Sequence, residues 1–203
     1  MFVKDRMTPN PINVGPEEDV KNVFSLLNKH GFRQVPVVKD GKLVGIITNR
    51  DLRVTITLDE DHLIVADVMS SNPVTISEDA TVEEAAQMIR NRKFNALPVL
   101  SKRGELVGII TVTDILDGLL NLLGFHQSPV RVRVKIAEGV DVYKVHKVLK
   151  ECSQRVASFS SSEESYDTFY FWLIGCGFDK LDRKLEEYRL DVDVTYSEGS
   201  KLT

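Results

Sequence analysis

The chain has 203 residues, of which 42% are hydrophobic and 28% are charged, the balance of a globular protein rather than a disordered one. Its net charge of −4 and its pI near 5.6 argue against a nucleic-acid-binding protein that relies on bulk positive charge. No apolar run is long enough to cross a bilayer, and the first residues lack the apolar stretch of a signal peptide. Cys152 and Cys176 lack the spacing of a disulfide framework or a zinc site, so we expect a soluble cytoplasmic protein with reduced cysteines.

An internal repeat accounts for the first part of the chain. Residues 3–52 align with residues 65–115 after one inserted residue, Arg103. Each copy opens with Met-x-x-Asn-Pro, and GKLVGIITNRDL in the first copy corresponds to GELVGIITVTDI in the second. Because a unit of about 50 residues holds little core alone, we expect the two copies to pack sheet to sheet.

The pattern within each copy predicts the order β-α-β-β-α. A short strand is expected at residues 12–14 and 74–76, followed by an amphipathic helix that Asp19 or Thr81 caps. Two strands follow, VPVV or LPVL and then LVGII, and a second helix begins after Thr48 or Thr111. The predicted boundaries of the two repeats are residues 1–62 and 63–125.

The remaining residues, 128–198, are unrelated to the repeats. Val130, Val132 and Val134 alternate with basic residues, which is typical of a half-buried strand, and Asp141 then caps a helix. Two strands, a helix and a final strand are expected next. This β-α-β-β-α-β order is the ferredoxin-like pattern and predicts a separate third domain, so the fold class is mixed α and β.

The repeated Thr-x-x-Asp motif, Thr48 to Asp51 and Thr111 to Asp114, has two interpretations. The first is structural, because Thr followed three residues later by an acid at a helix start is a capping box. The second is functional: a helix N-terminus attracts phosphate, and a carboxylate beside it can accept bonds from the two hydroxyls of a ribose.

Two neighbouring features favour the functional interpretation. The glycine before the apolar pair permits another group to approach the strand closely. In the first copy Arg50 and Arg53 flank Asp51, and guanidinium groups suit phosphate oxygens, whereas the second copy has Thr113 in place of Arg50. We therefore expect phosphate-rich ligands to prefer the site to which Arg50 contributes.

These motifs resemble the CBS motif, and the doubled copy resembles a tandem CBS pair, or Bateman module. The resemblance implies that the two β-α-β-β-α repeats pack as a pseudo-twofold pair. The resemblance implies that an adenosine ligand such as AMP, ADP or ATP binds in clefts between the two sheets, with Asp51 and Asp114 holding the ribose. The TNRDL segment is also similar to the CBS insert of inosine-monophosphate dehydrogenases, although no catalytic barrel follows. The candidate binding residues that the resemblance implies are Arg33, Val35, Pro36, Thr48, Asn49, Arg50 and Asp51 in the first copy, and Asn95, Leu97, Pro98, Thr111, Val112, Thr113 and Asp114 in the second.

The third domain resembles an ACT domain, the small amino-acid-sensing unit. Ala137, Glu138 and Gly139 keep the glycine of the usual loop but lack its customary Asp and Pro, so a plain ferredoxin-like dimerisation domain stays an equal alternative. The whole layout is similar to that of acetoin-utilisation regulatory proteins.

The resulting prediction is a non-enzymatic nucleotide sensor with no catalytic cofactor and no metal. Leu116, Leu119, Leu120 and Leu123 form an apolar face that we interpret as internal core and homodimer interface together. A regulated target protein is a further expected partner, and neither nucleic acid nor a membrane is expected as one. The alternative is a dimerisation or scaffolding protein with vestigial clefts. A metal enzyme built on the acidic cluster of Asp59, Glu60, Asp61 and His62 is the least supported alternative, since no convergent catalytic group accompanies them.

Overall fold

The computed structural model describes residues 1–57, 62–127, 129–137, 139–162, 165–188 and 192–198. The chain divides into two compact units, Met1–Leu116 and Asp117–Thr203. The first unit contains both copies of the repeat. Among the described residues, no helix is long and apolar enough to span a membrane.

The elements of the repeats follow the chain in two parallel series. The first series is β1 (Thr8–Pro9), α1 (Val20–His30), β2 (Gln34–Lys39), β3 (Lys42–Thr48) and α2 (Asn49–Thr57). The second series is α3 (Val65–Val68), β4 (Ser70–Ser71), β5 (Ile76–Ser77), α4 (Val82–Arg92), β6 (Ala96–Leu100), β7 (Leu106–Thr111) and α5 (Val112–Leu122).

The central hairpin of each repeat is completed by a strand from the other repeat. The β2–β3 hairpin pairs with β4, in the order β2-β3-β4, and the β6–β7 hairpin pairs with β1, in the order β1-β7-β6-β5. Thr8 and Pro9 lie opposite Ile109 and Gly108. We call residues 1–11 and 63–73 the leading segments, because each opens one repeat in sequence yet adds a strand to the other.

Backbone hydrogen bonds show the same exchange. In the first leading segment, Val3 N–H donates to the carbonyl of Ala80 at 2.8 Å, and in the second, Val65 N–H donates to the carbonyl of Glu18 at 2.9 Å. Lys4 forms an ion pair with Asp79 at 2.8 Å, which lowers the pKa of that exposed carboxyl. The two halves of the first unit are therefore joined by reciprocal exchange and not only by contact between sheets.

Each hydrophobic core contains one valine from the opposite leading segment. Val3 is fully buried in the cluster formed by α4, β6 and β7, together with residues such as Ile89 and Leu97. Val65 is fully buried in the cluster formed by α1, β2 and β3, together with residues such as Leu27 and Ile47. Domain boundaries at residue 62 consequently describe the sequence repeat, while each packed core draws on both copies.

The predicted strands at residues 12–14 and 74–76 are wrong in extent. In the first copy only Val14 forms a parallel bridge, to Val37, and in the second the strand is Ile76–Ser77. The difference has a steric origin, because Pro11 and Pro73 follow Asn10 and Asn72, which adopt left-handed conformations with φ of 47° and 51°. The chain turns there instead of running straight, since asparagine tolerates this region better than most side chains.

The predicted helix caps are confirmed. Asp19 accepts hydrogen bonds from the N–H groups of Lys21 at 2.7 Å and Asn22 at 3.3 Å. Thr81 and Glu84 form a reciprocal capping box at the start of α4. These bonds satisfy backbone donors that a helix start leaves without intrahelical partners.

The second unit contains β8 (Val130–Ile136), α6 (Val142–Cys152), β9 (Arg155–Ser161), β10 (Thr168–Ile174), α7 (Phe178–Glu187) and β11 (Val192–Glu198). Its sheet is antiparallel throughout, in the order β11-β8-β10-β9. Val132, Leu149, Phe171 and Leu181 are fully buried in its core. Asp141 caps α6 by accepting from Tyr143 N–H at 2.9 Å, as predicted.

Candidate functional site

The Thr-x-x-Asp motif forms a complete capping box in both copies. Thr48 donates its N–H at 3.0 Å and its hydroxyl at 2.7 Å to Oδ2 of Asp51, and Asp51 N–H donates back to Thr48 Oγ1 at 3.2 Å. Thr111 and Asp114 repeat the pattern at 2.7, 2.8 and 3.2 Å. The structural interpretation of the motif is therefore confirmed, and both cap bonds from each threonine go to a single carboxylate oxygen.

The capping boxes fix the starts of α2 and α5 at the ends of β3 and β7. Each helix begins directly where its strand ends, at Asn49 and Val112. The first N–H groups of a helix lack intrahelical partners, and the helix dipole places positive charge at the same end. Both helix starts consequently favour a negatively charged group, and a cavity lies at each of them.

The first cleft has a volume of about 520 Å³ and lies at the start of α2. It combines the Thr48–Arg50 turn with the second leading segment and with the loop before β6. Its lining residues are Arg33, Gln34, Ile46, Thr48, Asn49, Arg50, Ser70, Ser71, Asn72, Pro73, Val74, Lys93, Phe94, Asn95, Ala96 and Pro98.

The second cleft has a volume of about 300 Å³ and lies at the start of α5. It combines the Thr111–Thr113 turn with the first leading segment and with the loop before β2. Its lining residues are Thr8, Pro11, Ile12, Gly31, Phe32, Arg33, Gln34, Pro36, Asn95, Ala96, Ile109, Thr111, Val112 and Thr113.

Most of the predicted site residues line one of these cavities, but the prolines are exchanged between them. The first cleft contains Pro98 of the second repeat, and the second cleft contains Pro36 of the first. Arg33 and Asn95 line both. Each cavity is therefore a composite of the two copies.

The structure places four predicted residues elsewhere. Val35 and Leu97 point into the two hydrophobic cores, where they are 1% and 0% exposed, because alternate residues of a strand face opposite sides. Asp51 and Asp114 are partly buried in the capping boxes and are not among the residues that line the cavities. The two carboxylates therefore belong to the helix caps and do not form part of the cavity walls.

A phenylalanine provides an exposed apolar surface in each cavity. Phe94 is 37% exposed in the first cleft, and Phe32 is 36% exposed in the second. The two residues precede β6 and β2 at equivalent positions of the repeat. Ile12 and Val112 add further exposed apolar surface to the second cleft alone. Such surfaces suit a planar, weakly polar group such as a heterocyclic base.

Positive charge differs between the two clefts. Arg33, Arg50 and Lys93 line the first cleft, and of these only Arg33 also lines the second. In the part of the chain that the structure describes, none of the three side chains forms an ion pair. The first cleft is accordingly the more suitable for an anionic group.

Lys93 is a cleft residue that the sequence analysis missed. It ends α4 in a left-handed conformation with φ of 56°, at the position where Gly31 ends α1 with φ of 67°. A lysine there costs about 1–2 kcal/mol relative to glycine. The alignment of the two copies could have revealed it, because Lys93 stands at the position where the first copy has Gly31.

The glycine of the repeated GIIT motif has the role that its position predicted. A Cβ built on Gly45 would overlap the side chain of Met69, and one built on Gly108 would overlap the side chain of Met7. Met69 and Met7 come from the leading segment of the opposite copy. The close approach therefore belongs to the exchange of leading segments, and it holds the segments that line the clefts.

The acidic cluster Asp59, Glu60 and Asp61 lies outside the described residues. Within the residues that are described, no group of three or more His, Cys, Asp or Glu side chains is arranged to hold a metal ion. Burial raises the pKa of both thiols, Cys152 and Cys176.

Comparison with known proteins identifies the repeats. The model of the CBS domain matches residues 3–57 and 65–121. A CBS domain-containing protein of Dictyostelium discoideum is 35% identical over 136 residues, covering 61% of this chain and 94% of that protein. An inosine-5'-monophosphate dehydrogenase of Korarchaeum cryptofilum is 36% identical over 104 residues, which is 51% of this chain but only 21% of the enzyme.

Solved structures of CBS pairs resemble the part of the chain that contains the repeats. CBSX2 from Arabidopsis thaliana in complex with AMP has a TM-score of 0.53 at 29% identity, covering 59% of this chain and 96% of that one. The CBS pair of protein MJ0100, in complex with 5-methylthioadenosine and S-adenosyl-L-methionine, has a TM-score of 0.54 at 28% identity. It covers 59% of this chain and 95% of that one.

Proposed function

Because the chain belongs to the family of CBS-domain proteins, we propose that it is a non-enzymatic regulatory protein whose paired repeats bind an adenosine ligand, AMP, ADP or ATP. The observation that carries this proposal is the pair of composite cavities at the capped starts of α2 and α5. A cavity that combines a helix start with an exposed aromatic ring, next to a carboxylate fixed by the helix cap, offers partners for all three parts of a nucleotide.

Each part of the ligand has an assigned partner in the first cleft. The base would lie against Phe94, and the phosphate would meet the start of α2 and the side chain of Arg50. The ribose hydroxyls would donate to Asp51, whose carboxylate the bonds from Thr48 hold in place. In the second cleft, Phe32, Thr113 and Asp114 take the corresponding roles, with no arginine at the position of Arg50.

The chemistry of the structural neighbours supports this class of ligand. The bound molecules in the two CBS pairs are AMP, 5-methylthioadenosine and S-adenosyl-L-methionine, which share an adenosine moiety. Two of these carry no phosphate. These three ligands share the adenosine moiety and differ in the group attached to it. Two clefts that differ in positive charge are consistent with ligands that differ in this way.

Regulation would follow from the composite nature of the cavities. A ligand that contacts both copies stabilises the arrangement of repeats that it binds best, and it shifts nothing if it binds two arrangements equally. We propose that the second unit transmits this shift, acting as an ACT-like domain as in acetoin-utilisation regulatory proteins. A cytoplasmic homodimer is proposed as the active form, because Leu116 and Leu119 are exposed on α5.

A thermal-shift screen tests the proposed function. The full chain is heated with AMP, ADP, ATP, adenosine, S-adenosylmethionine, or guanosine monophosphate as a control nucleotide. A ligand bound only to the native state at about 100 times its Kd stabilises it by about 2.7 kcal/mol, so at least one adenosine ligand should raise the melting temperature. No shift with any adenosine ligand at millimolar concentration would contradict the proposal and favour a scaffolding role.

A further inference from the structure

The two cavities share four residues that stand at equivalent positions in the two repeats. Arg33 precedes β2 and Gln34 begins it, Asn95 precedes β6 and Ala96 begins it, and all four line both clefts. The alignment of the copies equates Arg33 with Asn95 and Gln34 with Ala96. The clefts therefore meet at these residues, and a ligand in either one touches the same small set of side chains.

The shared residues break the symmetry of the repeat. The first copy supplies a guanidinium and a primary amide, while the second supplies a neutral amide and a methyl group. Gln34 Nε2 is buried and has no hydrogen-bond partner among the described residues. A buried donor without an acceptor is costly, so a ligand oxygen at this junction would be stabilising.

Among the described residues, Arg33 is the only positively charged residue that lines both clefts. The wall of the first cleft also contains Arg50 and Lys93, whereas Arg33 is the one cation that the described part of the chain supplies to the second. Two phosphates bound at once would share one guanidinium, so each would gain less from it than a single phosphate does. Adenosine in the second cleft has no phosphate and does not compete for Arg33.

On the basis of the proposed function, we infer that the two clefts are negatively coupled for phosphate-bearing ligands through Arg33. A nucleotide in the first cleft weakens the binding of a second nucleotide, which leaves the second cleft to an uncharged adenosine derivative. Because coupling between sites is reciprocal, a phosphate in the second cleft weakens the first by the same factor. Coupling factors between sites are typically about 5-fold to 150-fold, and we expect about 10-fold here.

Site-resolved NMR of the full chain tests this coupling. The backbone amides of Thr48 and Thr111 report on the first and second cleft separately, and AMP and adenosine are the probes. In the wild-type chain AMP should fill the first cleft first. The variant Arg50→Thr/Lys93→Gly gives the first cleft the residues found at the equivalent positions of the other repeat.

The double substitution should strengthen the binding of AMP in the second cleft by up to about 10-fold, although neither residue lines it. In an Arg33→Met background the same double substitution should leave that affinity unchanged. Asn95→Ala is the control for Arg33→Met, because Asn95 is the uncharged residue at the equivalent position of the second repeat. In this background the double substitution should still strengthen the binding of AMP in the second cleft. Adenosine should bind the second cleft of Arg50→Thr/Lys93→Gly as it binds that of the wild-type chain, because neither substituted residue lines this cleft.

Different failures have different meanings. An unchanged or weakened AMP affinity in the second cleft of Arg50→Thr/Lys93→Gly would overturn the coupling while leaving the proposed function intact. A gain that persists with Arg33→Met would overturn the role of Arg33. No response of either amide to AMP or adenosine would instead overturn the proposed function itself.

Discussion

Arg50 and Thr113 occupy equivalent positions after the two capping threonines, and they differ in charge. Arg50 is exposed and lines the first cleft, and its neighbour Arg53 is exposed on the same helix but donates from Nε to Asn49 Oδ1 at 3.2 Å. The two arginines carry the same charge on the same helix, but Arg50 lines the first cleft and Arg53 does not.

Substitution of Arg50 by alanine should weaken ADP and ATP but not adenosine. A hydrogen bond to a charged group contributes about 1.5–3 kcal/mol, so we expect a loss of about 10-fold or more for the nucleotides. Titration calorimetry with the three ligands measures it, and Arg53→Ala controls for the change in net charge. Equal losses for all three ligands, or an equal effect of Arg53→Ala, would contradict the assignment of the phosphate to Arg50.

At the scale of the elements, Gly45 and Gly108 let a methionine of the opposite leading segment lie on each central strand. Substitution of Gly45 by alanine should destabilise the first unit by about 1–3 kcal/mol, because the new methyl group overlaps Met69 and overpacks the contact. Urea denaturation measures the change. Gly15→Ala is the control, since a Cβ there meets only the Glu18 side chain at 3.8 Å. A Gly45→Ala variant as stable as Gly15→Ala would show that Met69 does not depend on this space.

Local patterns predicted the elements better than they predicted their partners. Capping chemistry and side-chain periodicity act within a few residues of the chain. They were therefore enough to predict the order of helices and strands in each unit and the caps at Asp19, Thr81 and Asp141. The exchange of leading segments could not be predicted, because β1 and β4 are two residues long and too short to show a period. Ser70, which lies in β4, was missed for the same reason. Lys93 was missed because it ends α4 where the first repeat has Gly31, and Val35 and Leu97 were placed at the clefts although they face the cores.

At the scale of the whole molecule, reciprocal exchange makes each core depend on the other copy. Val3→Ala should loosen the second repeat by about 1–3 kcal/mol, because Val3 is buried against the core that α4, β6 and β7 form. Hydrogen exchange should accelerate in α4 more than in α1. Val65→Ala is the mirror variant and should affect α1 more than α4. An acceleration in α1 as large as that in α4, or larger, for Val3→Ala would contradict the exchanged arrangement.

The central claim is that the carboxylates of Asp51 and Asp114 hold the ribose of an adenosine ligand while their caps hold the helix starts. The variant Asp51→Asn/Asp114→Asn keeps a side-chain oxygen for the bonds from Thr48 and Thr111 but removes the charge and one acceptor. Asp19→Asn makes the same chemical change at a cap outside both clefts. Titration calorimetry with AMP should show a loss of about 10-fold or more in the double variant at an unchanged melting temperature, and no loss in Asp19→Asn. Wild-type affinity for AMP in the double variant would contradict the account.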